Sequence, residues 1–274
     1  MTVNKRDRFA SLPAGPDYLL QRWPDSLGAM QLVGFSRPCA RRDLAAICRW
    51  AGLPDRGRAA GRVPASAVSR LIAIAARRRS GNHYHQPGHY LHVVMAAGFL
   101  ARAAGLSRDD RALLVIAALV HDLDHHGKRS SSRPYAQERW SAARVRRVLG
   151  RAGADIRLAG RLERLLLATA GNDDSLRLTI LASDPLARYL TDADLFGSVF
   201  YRRDLALAMT RKLKLEQQLP GRPDRLLAHF AARIAREGLR SAMGRNLYAR
   251  LAISRGKALN TVNHEGWDEF YNIL

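Results

Sequence analysis

The stretch RALLVIAALVHDL, residues 111–123, decides the fold. Its apolar residues lie on nearly every face of a helix, which is typical of a helix buried at the centre of a protein. The preceding SRDD, residues 107–110, resembles a capping box and marks where that helix starts. The apolar run ends in His121 and Asp122. Burying an unpaired carboxylate is costly, and a bound cation offsets that cost, so the stretch predicts an interior metal site.

The rest of the chain predicts an all-α domain, a multi-helix bundle around this site. Almost every segment from residue 86 onward has a helical pattern, and alternating β-branched runs and Asn-Gly hairpins are nearly absent. Earlier helices are expected over 40–53 and after Pro64, whereas residues 1–36 show no sustained period and predict an irregular arm. Later helices are predicted at 136–149, 155–170, 185–199, 202–217, 224–238 and 240–258.

The charge of the chain favours anionic partners. Its formal net charge is +21 and its pI is about 11.2, a balance that attracts nucleic acid, acidic lipid and nucleotides. The arginines are scattered through every segment, and even the dense RVRRVLGR, residues 144–151, is better interpreted as a solvated helix face than as a nucleic-acid groove.

The sequence predicts a cytoplasmic protein. It has no run of about 18 apolar residues that could form a transmembrane helix, and no signal peptide is expected. Cys39 and Cys48 are predicted to share one helix as buried or neutral thiols in a reducing compartment, and a disulfide or metal site between them is disfavoured.

Four of the nine histidines lie in NHYHQPGHYLHVV, residues 82–94. Proline suits the first turn of a helix, so a helix starting at Pro87 places His89 in that turn and His85 just before it. Both side chains can then reach one cavity. His92 follows about one turn later and is expected to be structural, and His83 is expected at the surface.

A third segment, LTDADLFGS at residues 190–198, offers Asp192 and Asp194. Two imidazoles with two carboxylates form a mixed nitrogen and oxygen site, which suits zinc, iron or manganese at one ion, with magnesium or manganese beside it. Asp194 is the expected ligand, and Asp192 is expected to be a neighbouring or exposed carboxylate.

The sequence motifs of four segments resemble those of a known family. YHQPGHYLHV (84–93) is similar to Tyr-His-Asn-x-x-His, HDLDHHG (121–127) to His-Asp-x-Asp-His-Pro-Gly, LLLATAGN (165–172) to a Leu-Ala-Thr-Asp segment, and ADL (193–195) to Ala-Asp-Leu. These segments occur in the same order in the HD superfamily of metal-dependent phosphohydrolases. The chain most resembles a short, bacterial-type version of the class I cyclic nucleotide phosphodiesterase catalytic domain.

The resemblance implies a di-metal site and a role for each matching residue. The tighter metal would be held by His89, His121, Asp122 and Asp194. Asp122 would bridge to a second ion bound mostly through water, and His125 would line the shell of that ion. His85 would be the general acid, and Glu138 would support the bridging water. The resemblance further implies that residues 81–274 form the catalytic domain and residues 1–80 an arm with accessory helices packed on it.

The chain also departs from the family pattern. Gln86 stands where the family has Asn, His126 where it has Pro, and Ala170 where it has the Asp of Leu-Ala-Thr-Asp. The late Gln and Phe that clamp the purine in the family have no clear match. Their candidates match by residue type only: Gln217, Gln218 and Phe230.

The leading hypothesis is a metal-dependent hydrolase of a nucleotide phosphodiester, with a phosphate-containing small molecule as its partner. One alternative keeps the metals and changes the substrate, as in an HD-type nucleotidase or deoxynucleotide triphosphohydrolase. Another is a non-catalytic basic domain that binds nucleotides or nucleic acid, which the net charge of +21 motivates. Lys128 and Arg129 follow the metal motif and are interpreted equally well as phosphate contacts or as a solvated turn.

Overall fold

A computed structural model of the protein describes residues 15–35, 39–54, 58–59, 63–78, 81–127, 134–171 and 174–254. Within these ranges the chain forms helices and one two-stranded hairpin. The predicted all-α fold class is therefore confirmed. The helices are α1 (Pro16–Gln21), α2 (Leu27–Phe35), α3 (Arg41–Trp50), α4 (Ala65–Ala75), α5 (Pro87–Ala103), α6 (Arg108–Val120), α7 (Ala136–Arg151), α8 (Ile156–Leu167), α9 (Ser175–Ser183), α10 (Pro185–Phe200), α11 (Arg203–Gln217), α12 (Pro223–Glu237) and α13 (Ala242–Ser254).

The central helix is α6, as its all-round apolar pattern predicts. Every residue from Ala112 to Val120 is buried, and α6 packs against α5 and α10. Its start is fixed by Ser107, whose hydroxyl oxygen accepts a hydrogen bond from the backbone N–H of Asp110 (3.1 Å). Helix α5 begins at Pro87 as predicted, with Gln86 in extended conformation before it.

The N-terminal segment is more regular than its sequence indicates. Helices α1 and α2 lie within the stretch predicted to be an irregular arm, and both pack against α5. Trp23 lies between them, with its ring 5.2 Å from that of Phe99 and its Nε1 donating to the carbonyl oxygen of Leu247 (3.1 Å). Packing on α5 supplies the stability that a weak local pattern does not show. A domain boundary at residue 80 stays a prediction.

Three smaller details differ from the sequence-based expectations. A short antiparallel hairpin, β1 (Arg58–Ala59) with β2 (Val63–Pro64), precedes α4, although strand signals are nearly absent from the sequence. Helix α9 was not predicted; the side chain of Asp174 caps it by accepting from the N–H of Arg177. Cys39 precedes α3 and Cys48 lies within it, so the prediction of a shared helix was wrong. Both thiols are buried as expected, and the two do not form a disulfide.

No helix among the described residues combines the length and the hydropathy that a bilayer crossing requires.

The crossing of α3 and α5 generates a testable prediction at Gly98. A Cβ added there would lie 2.5 Å from the Cβ and 2.7 Å from the Cα of Ala51, so the backbones would have to separate. We expect Gly98→Ala to lower the free energy of unfolding by about 1–3 kcal/mol, measured by urea denaturation.

Gly160→Ala in α8 is the matched control, because nothing lies within 4 Å of its added Cβ. That variant should gain about 0.5–1 kcal/mol from the better helix propensity of alanine. Equal stability of the two variants would contradict the close approach of α3 and α5.

Candidate metal centre

Four predicted ligands meet where the three central helices converge. His89 comes from the first turn of α5, His121 and Asp122 follow the end of α6, and Asp194 lies on α10. One ligand-type atom from each lies within 4.8 Å of those of the other three. The two imidazole Nε2 atoms are 3.1 Å apart, and each lies 3.4 Å from Oδ1 of Asp194.

The orientation of His121 suits metal binding. Its Nδ1 lies 2.9 Å from the carbonyl oxygen of Ala118, which can only accept, so Nδ1 carries the proton. Its Nε2 is therefore the nitrogen that can ligate a metal, and it lies 2.9 Å from Oδ2 of Asp122. A backbone carbonyl that fixes the tautomer in this way is a usual support for metal-ligating histidines. With two nitrogen and two carboxylate ligands, the set fits a divalent ion such as zinc, iron or manganese.

The electrostatics of the cluster favour positive charge at its centre. Burial acts to raise the pKa of Asp122, but His121 and His85 outweigh it and hold that pKa well below its ordinary value. The pKa of Asp194 is lowered in the same way, against burial, by His121 and His89. Burial acts to lower the pKa of both histidines, yet the two carboxylates raise it. Both carboxylates thus remain ionised inside the protein.

A second group of side chains, His85, His125 and Glu216, borders the first. His85 Nε2 lies 3.3 Å from Oδ2 of Asp122, and its Nδ1 contacts Oε1 of Glu216. The other oxygen of Glu216 accepts from the backbone N–H groups of Tyr84 (2.6 Å) and His85 (3.0 Å). Burial acts to raise the pKa of Glu216, but the bonds from His85 and its charge bring it down to about 2. Glu216 therefore holds His85 as an ionised acceptor.

Sequence reasoning missed Glu216. It lies near the end of α11, in KLKLEQQ (212–218), where no local pattern separates it from a solvated helix carboxylate. Its contact with His85 spans 131 positions. A sequence signal for this contact would have to come from the pairing of α11 with the loop before α5, which no motif within either segment contains.

His125 stacks on His85, with their ring centroids 3.7 Å apart. Its Nδ1 accepts the backbone N–H of Gly127 (3.0 Å), and burial, together with the charge of His85, lowers its pKa to about 4. Asn82 donates to the carbonyl oxygen of His125 (2.7 Å) and packs against Gly127, where an added Cβ would lie 2.4 Å from its Oδ1. The loop after α6 is thus fixed to the loop before α5, and the two imidazoles stay together.

Glu138 lies near the cluster and outside it. It is in the first turn of α7, and burial raises its pKa, with the charge of Asp122 acting in the same direction. It does not belong to either group of converging ligand atoms. Its predicted support of a bridging water stays a prediction.

Asp192 and Asp194 have different surroundings although they are two residues apart on α10. The side chain of Asp192 is fully buried and accepts from the backbone N–H groups of Arg240 (2.7 Å) and Ser241 (2.8 Å), just before α13. Burial raises its pKa to about 6, while hydrogen bonds from Ser241 and Arg240 act in the opposite direction. The structure thus brings Asp194 into the metal cluster, and Asp192 is neither a ligand nor exposed.

The remaining residues of the histidine motifs lie apart from the cluster. His83 and His126 are exposed. His92 is buried, with its Nδ1 3.1 Å from the hydroxyl of Tyr201, in agreement with its expected structural role. Lys128 and Arg129 lie outside the described residues.

A cavity of about 390 Å³ opens beside the cluster, with Tyr84, His85, Asp122 and Asp194 in its wall. Gln217 and Phe230, two of the three candidates for a base clamp, line the same cavity. Gln218 does not line it and ends α11 in a left-handed conformation, with φ at 51°. The two carboxylates of the metal cluster, the imidazole of His85 and an amide with an aromatic ring therefore face one space of ligand size.

Three solved structures share this fold. The phosphodiesterase domain of the RhoPDE fusion protein from the choanoflagellate Salpingoeca rosetta aligns with a TM-score of 0.56 and 15% identity, over 85% of this chain and 92% of that one. The phosphodiesterase domain of Salpingoeca rosetta rhodopsin phosphodiesterase gives 0.53 and 13%, over 89% and 88%. LmjPDEB1 in complex with IBMX gives 0.51 and 14%, over 99% and 96%. The fold implied by the sequence resemblance is confirmed.

No family model matches the sequence. No curated protein matches it either.

The two aspartates of α10 give a matched pair of variants. Asp194→Asn should weaken manganese binding by at least about 10–100-fold. Loss of a residue that only supports a metal ligand typically costs that much, and this variant removes an anionic ligand itself. Asp192→Asn should leave metal binding nearly unchanged and lower the free energy of unfolding by about 1–3 kcal/mol, since it disturbs the bonds to residues 240 and 241. Metal titration and urea denaturation of both variants measure this, and the reverse pattern would make Asp192 the ligand.

Metal affinity should depend on pH. The pKa values of His89 and His121 are raised above 6.5 in the metal-free protein, so protons compete with the metal above that pH. We expect manganese affinity to increase between about pH 6 and 8, by up to about tenfold per unit for each proton released. Calorimetric titration in buffers of different ionisation enthalpy measures both quantities. Constant affinity without proton release would contradict imidazole ligation.

Proposed function

We propose that the protein is a metal-dependent hydrolase that cleaves a nucleotide phosphodiester. The observation that carries the proposal is that Asp122 and Asp194, two of the four clustered ligands, line one cavity wall together with His85. The two Salpingoeca rosetta structures with this fold are phosphodiesterase domains, which supports the reaction class.

The cluster would hold the tighter of two divalent ions. Zinc, iron or manganese suits its ligand set, and a second ion, magnesium or manganese, would lie on the side of Asp122 toward His125 and Glu138. When bound, such ions polarise phosphate oxygens and lower the pKa of a coordinated water toward neutrality. The carboxylate of Asp122 belongs to the first cluster and lies 3.3 Å from His85 of the second, so it would be available as a ligand to both ions.

His85 is the proposed general acid. Glu216 holds its Nδ1, so the Nε2 atom is directed away from Glu216 toward Asp122 and the cavity. Glu216 holds one edge of the ring through Nδ1, and stacking of His125 fixes the plane of the ring. From this position Nε2 donates its proton to the sugar oxygen that leaves phosphorus. General acid catalysis of this kind typically contributes about 10²–10⁴-fold.

The cavity supports a nucleotide as the phosphate-containing ligand. The ring of Phe230 can pack on a base, and the amide of Gln217 can donate to and accept from a base edge. A purely structural metal site has no use for the His85–Glu216 pair, which argues against the non-catalytic alternative. The nucleotidase alternative differs in substrate only and is separated by the assay below. The two buried thiols, which form no disulfide, suit the reducing cytoplasm that we propose as its location.

Hydrolysis is tested with chelator-treated protein that is reloaded with manganese, magnesium or zinc. The substrates are cyclic AMP, cyclic GMP, bis(4-nitrophenyl) phosphate and a nucleoside monophosphate. We expect turnover of the diesters and none by Asp122→Ala, which should also lose its metal. Full diester turnover by that variant, or turnover of the monoester alone, would contradict the proposal.

The role of His85 is tested separately. His85→Asn should keep its metal and lose about 10²–10⁴-fold in kcat for a cyclic nucleotide, whose leaving alkoxide needs a proton. The loss should be much smaller for bis(4-nitrophenyl) phosphate, because 4-nitrophenolate leaves without protonation. Glu216→Gln should show the same pattern at smaller amplitude. Equal losses on both substrates would assign His85 a structural role instead.

A further inference from the structure

The outer face of α7 carries an exposed tryptophan beside arginines, and the proposed reaction uses none of them. Trp140 is 60% exposed, whereas the core-facing side of the same helix is buried at Val145, Val148 and Leu149. An exposed indole forgoes the large favourable free energy of its burial. Single exposed apolar side chains are common, so the neighbours of Trp140 decide whether it has a role.

The arginines that share the direction of Trp140 form a row along the helix. Arg147 and Arg151 follow it by seven and eleven positions, and both are exposed. An α-helix turns by about 100° and rises by about 1.5 Å per residue, so both point within about 20° of Trp140, at about 10.5 and 16.5 Å along the axis. Arg144, four positions after Trp140, lies at the side of the same row. These four residues, Trp140, Arg144, Arg147 and Arg151, are called the Trp140 stripe.

The Trp140 stripe is positively charged. Within the described part of the chain its one ion pair joins Arg144 to Asp124, with Nε 3.2 Å from Oδ2. The Nε of Arg147 contacts the carbonyl oxygen of Ala143 (3.5 Å), which leaves its charge in place. Arg151 makes no ion pair with any described residue. Two guanidinium groups without a carboxylate partner therefore lie in one row with an exposed indole.

We infer that the Trp140 stripe binds single-stranded RNA, with a base stacked on the indole and phosphates at Arg147 and Arg151. Aromatic rings for the bases and a row of basic side chains for the backbone are the usual means of holding a single strand. A stacked strand has one phosphate per about 3.4 Å, so the stripe spans roughly five nucleotides. The net charge of +21 attracts such a strand to the protein. The arginines of 144–151 were interpreted from sequence as a solvated face, and the exposed Trp140 in the same row is what points to a nucleic-acid strand instead.

Two other partners fit the Trp140 stripe less well. A helix that lies on a membrane buries an apolar side in the bilayer, whereas the apolar side of α7 is buried in the protein. Trp140 is the one large apolar side chain on the exposed face of this helix. A second copy of the chain would bring two charges of +21 together. RNA is the polyanion that is commonly single-stranded in the cytoplasm proposed above, and its bases are open to stacking.

The test measures binding of a labelled RNA of about ten nucleotides to the manganese-loaded full chain, by fluorescence anisotropy at several KCl concentrations. Trp140→Ala should weaken binding at least about fivefold, the lower end for one lost stacked base, without changing the salt dependence. Arg147→Gln and Arg151→Gln should each weaken binding and also reduce the slope of log affinity against log salt by about 0.7. That reduction corresponds to one phosphate contact on a single strand.

Arg146→Gln is the matched control for charge. Arg146 lies on the same helix, but it points about 120° away from Trp140 and binds Glu163. This variant loses the same net charge and should keep the slope. Ile156→Ala is the control for exposed apolar area, because Ile156 is 77% exposed at the start of α8 and lies outside the stripe, so it should keep the affinity.

Several outcomes would overturn the inference. They are an equal loss of slope in Arg146→Gln, full RNA affinity in Trp140→Ala, tighter binding of a DNA strand of the same sequence, and tighter binding to vesicles of phosphatidylcholine and phosphatidylserine. Trp140→Phe, which retains an aromatic ring, should keep most of the affinity, and urea denaturation checks that each variant is folded. None of the stripe residues lines the cavity, so diester turnover should be unchanged in every variant, and RNA binding stands or falls separately from the proposed hydrolase.

Discussion

The partial burial of two carboxylates at the meeting point of α5, α6 and α10 is the constraint on which the structure depends. Carboxylates taken out of water need compensating positive charge, and here Asp122 and Asp194 obtain it from two imidazoles whose own pKa values rise in return. The surrounding helices are apolar, so the charge balance stays local. A divalent ion can replace the two imidazole protons without disturbing the packing around them, which is why the cluster suits a metal.

The part of the site that could be predicted from sequence is the part that is local in the chain. Helix α6 is apolar on all faces and ends at its own ligands, so one segment predicts both burial and chemistry. Pro87 likewise places His85 and His89 on the two sides of a helix start. Glu216 could not be predicted, because its partner is 131 positions away. Helices α1 and α2 were missed for a related reason, since their stability comes from contacts with α5 and not from their own periodicity.

The site combines two groups of side chains with different supports. The first group is held by helices, and the backbone carbonyl oxygen of Ala118 orients His121. The second is held by loops, in which Asn82, Gly127 and Glu216 join three distant segments around His85 and His125. Groups that bind an ion benefit from rigid placement, and a group that transfers a proton needs a partner that stabilises its charge. Under the proposed function, helix ends would serve the first task and a buried carboxylate on α11 the second.

Asp192 and Asp194 make different contacts from the same helix, and this limits where the chain can tolerate insertions and deletions. Successive helical residues turn by about 100°, so residues two apart point in nearly opposite directions. One aspartate faces the metal cluster and the other anchors the backbone just before α13. A single-residue insertion or deletion within α10 before position 192 would rotate both out of place together. Length variation among descendants of this sequence should therefore be excluded from α10 and confined to the loops on either side of it.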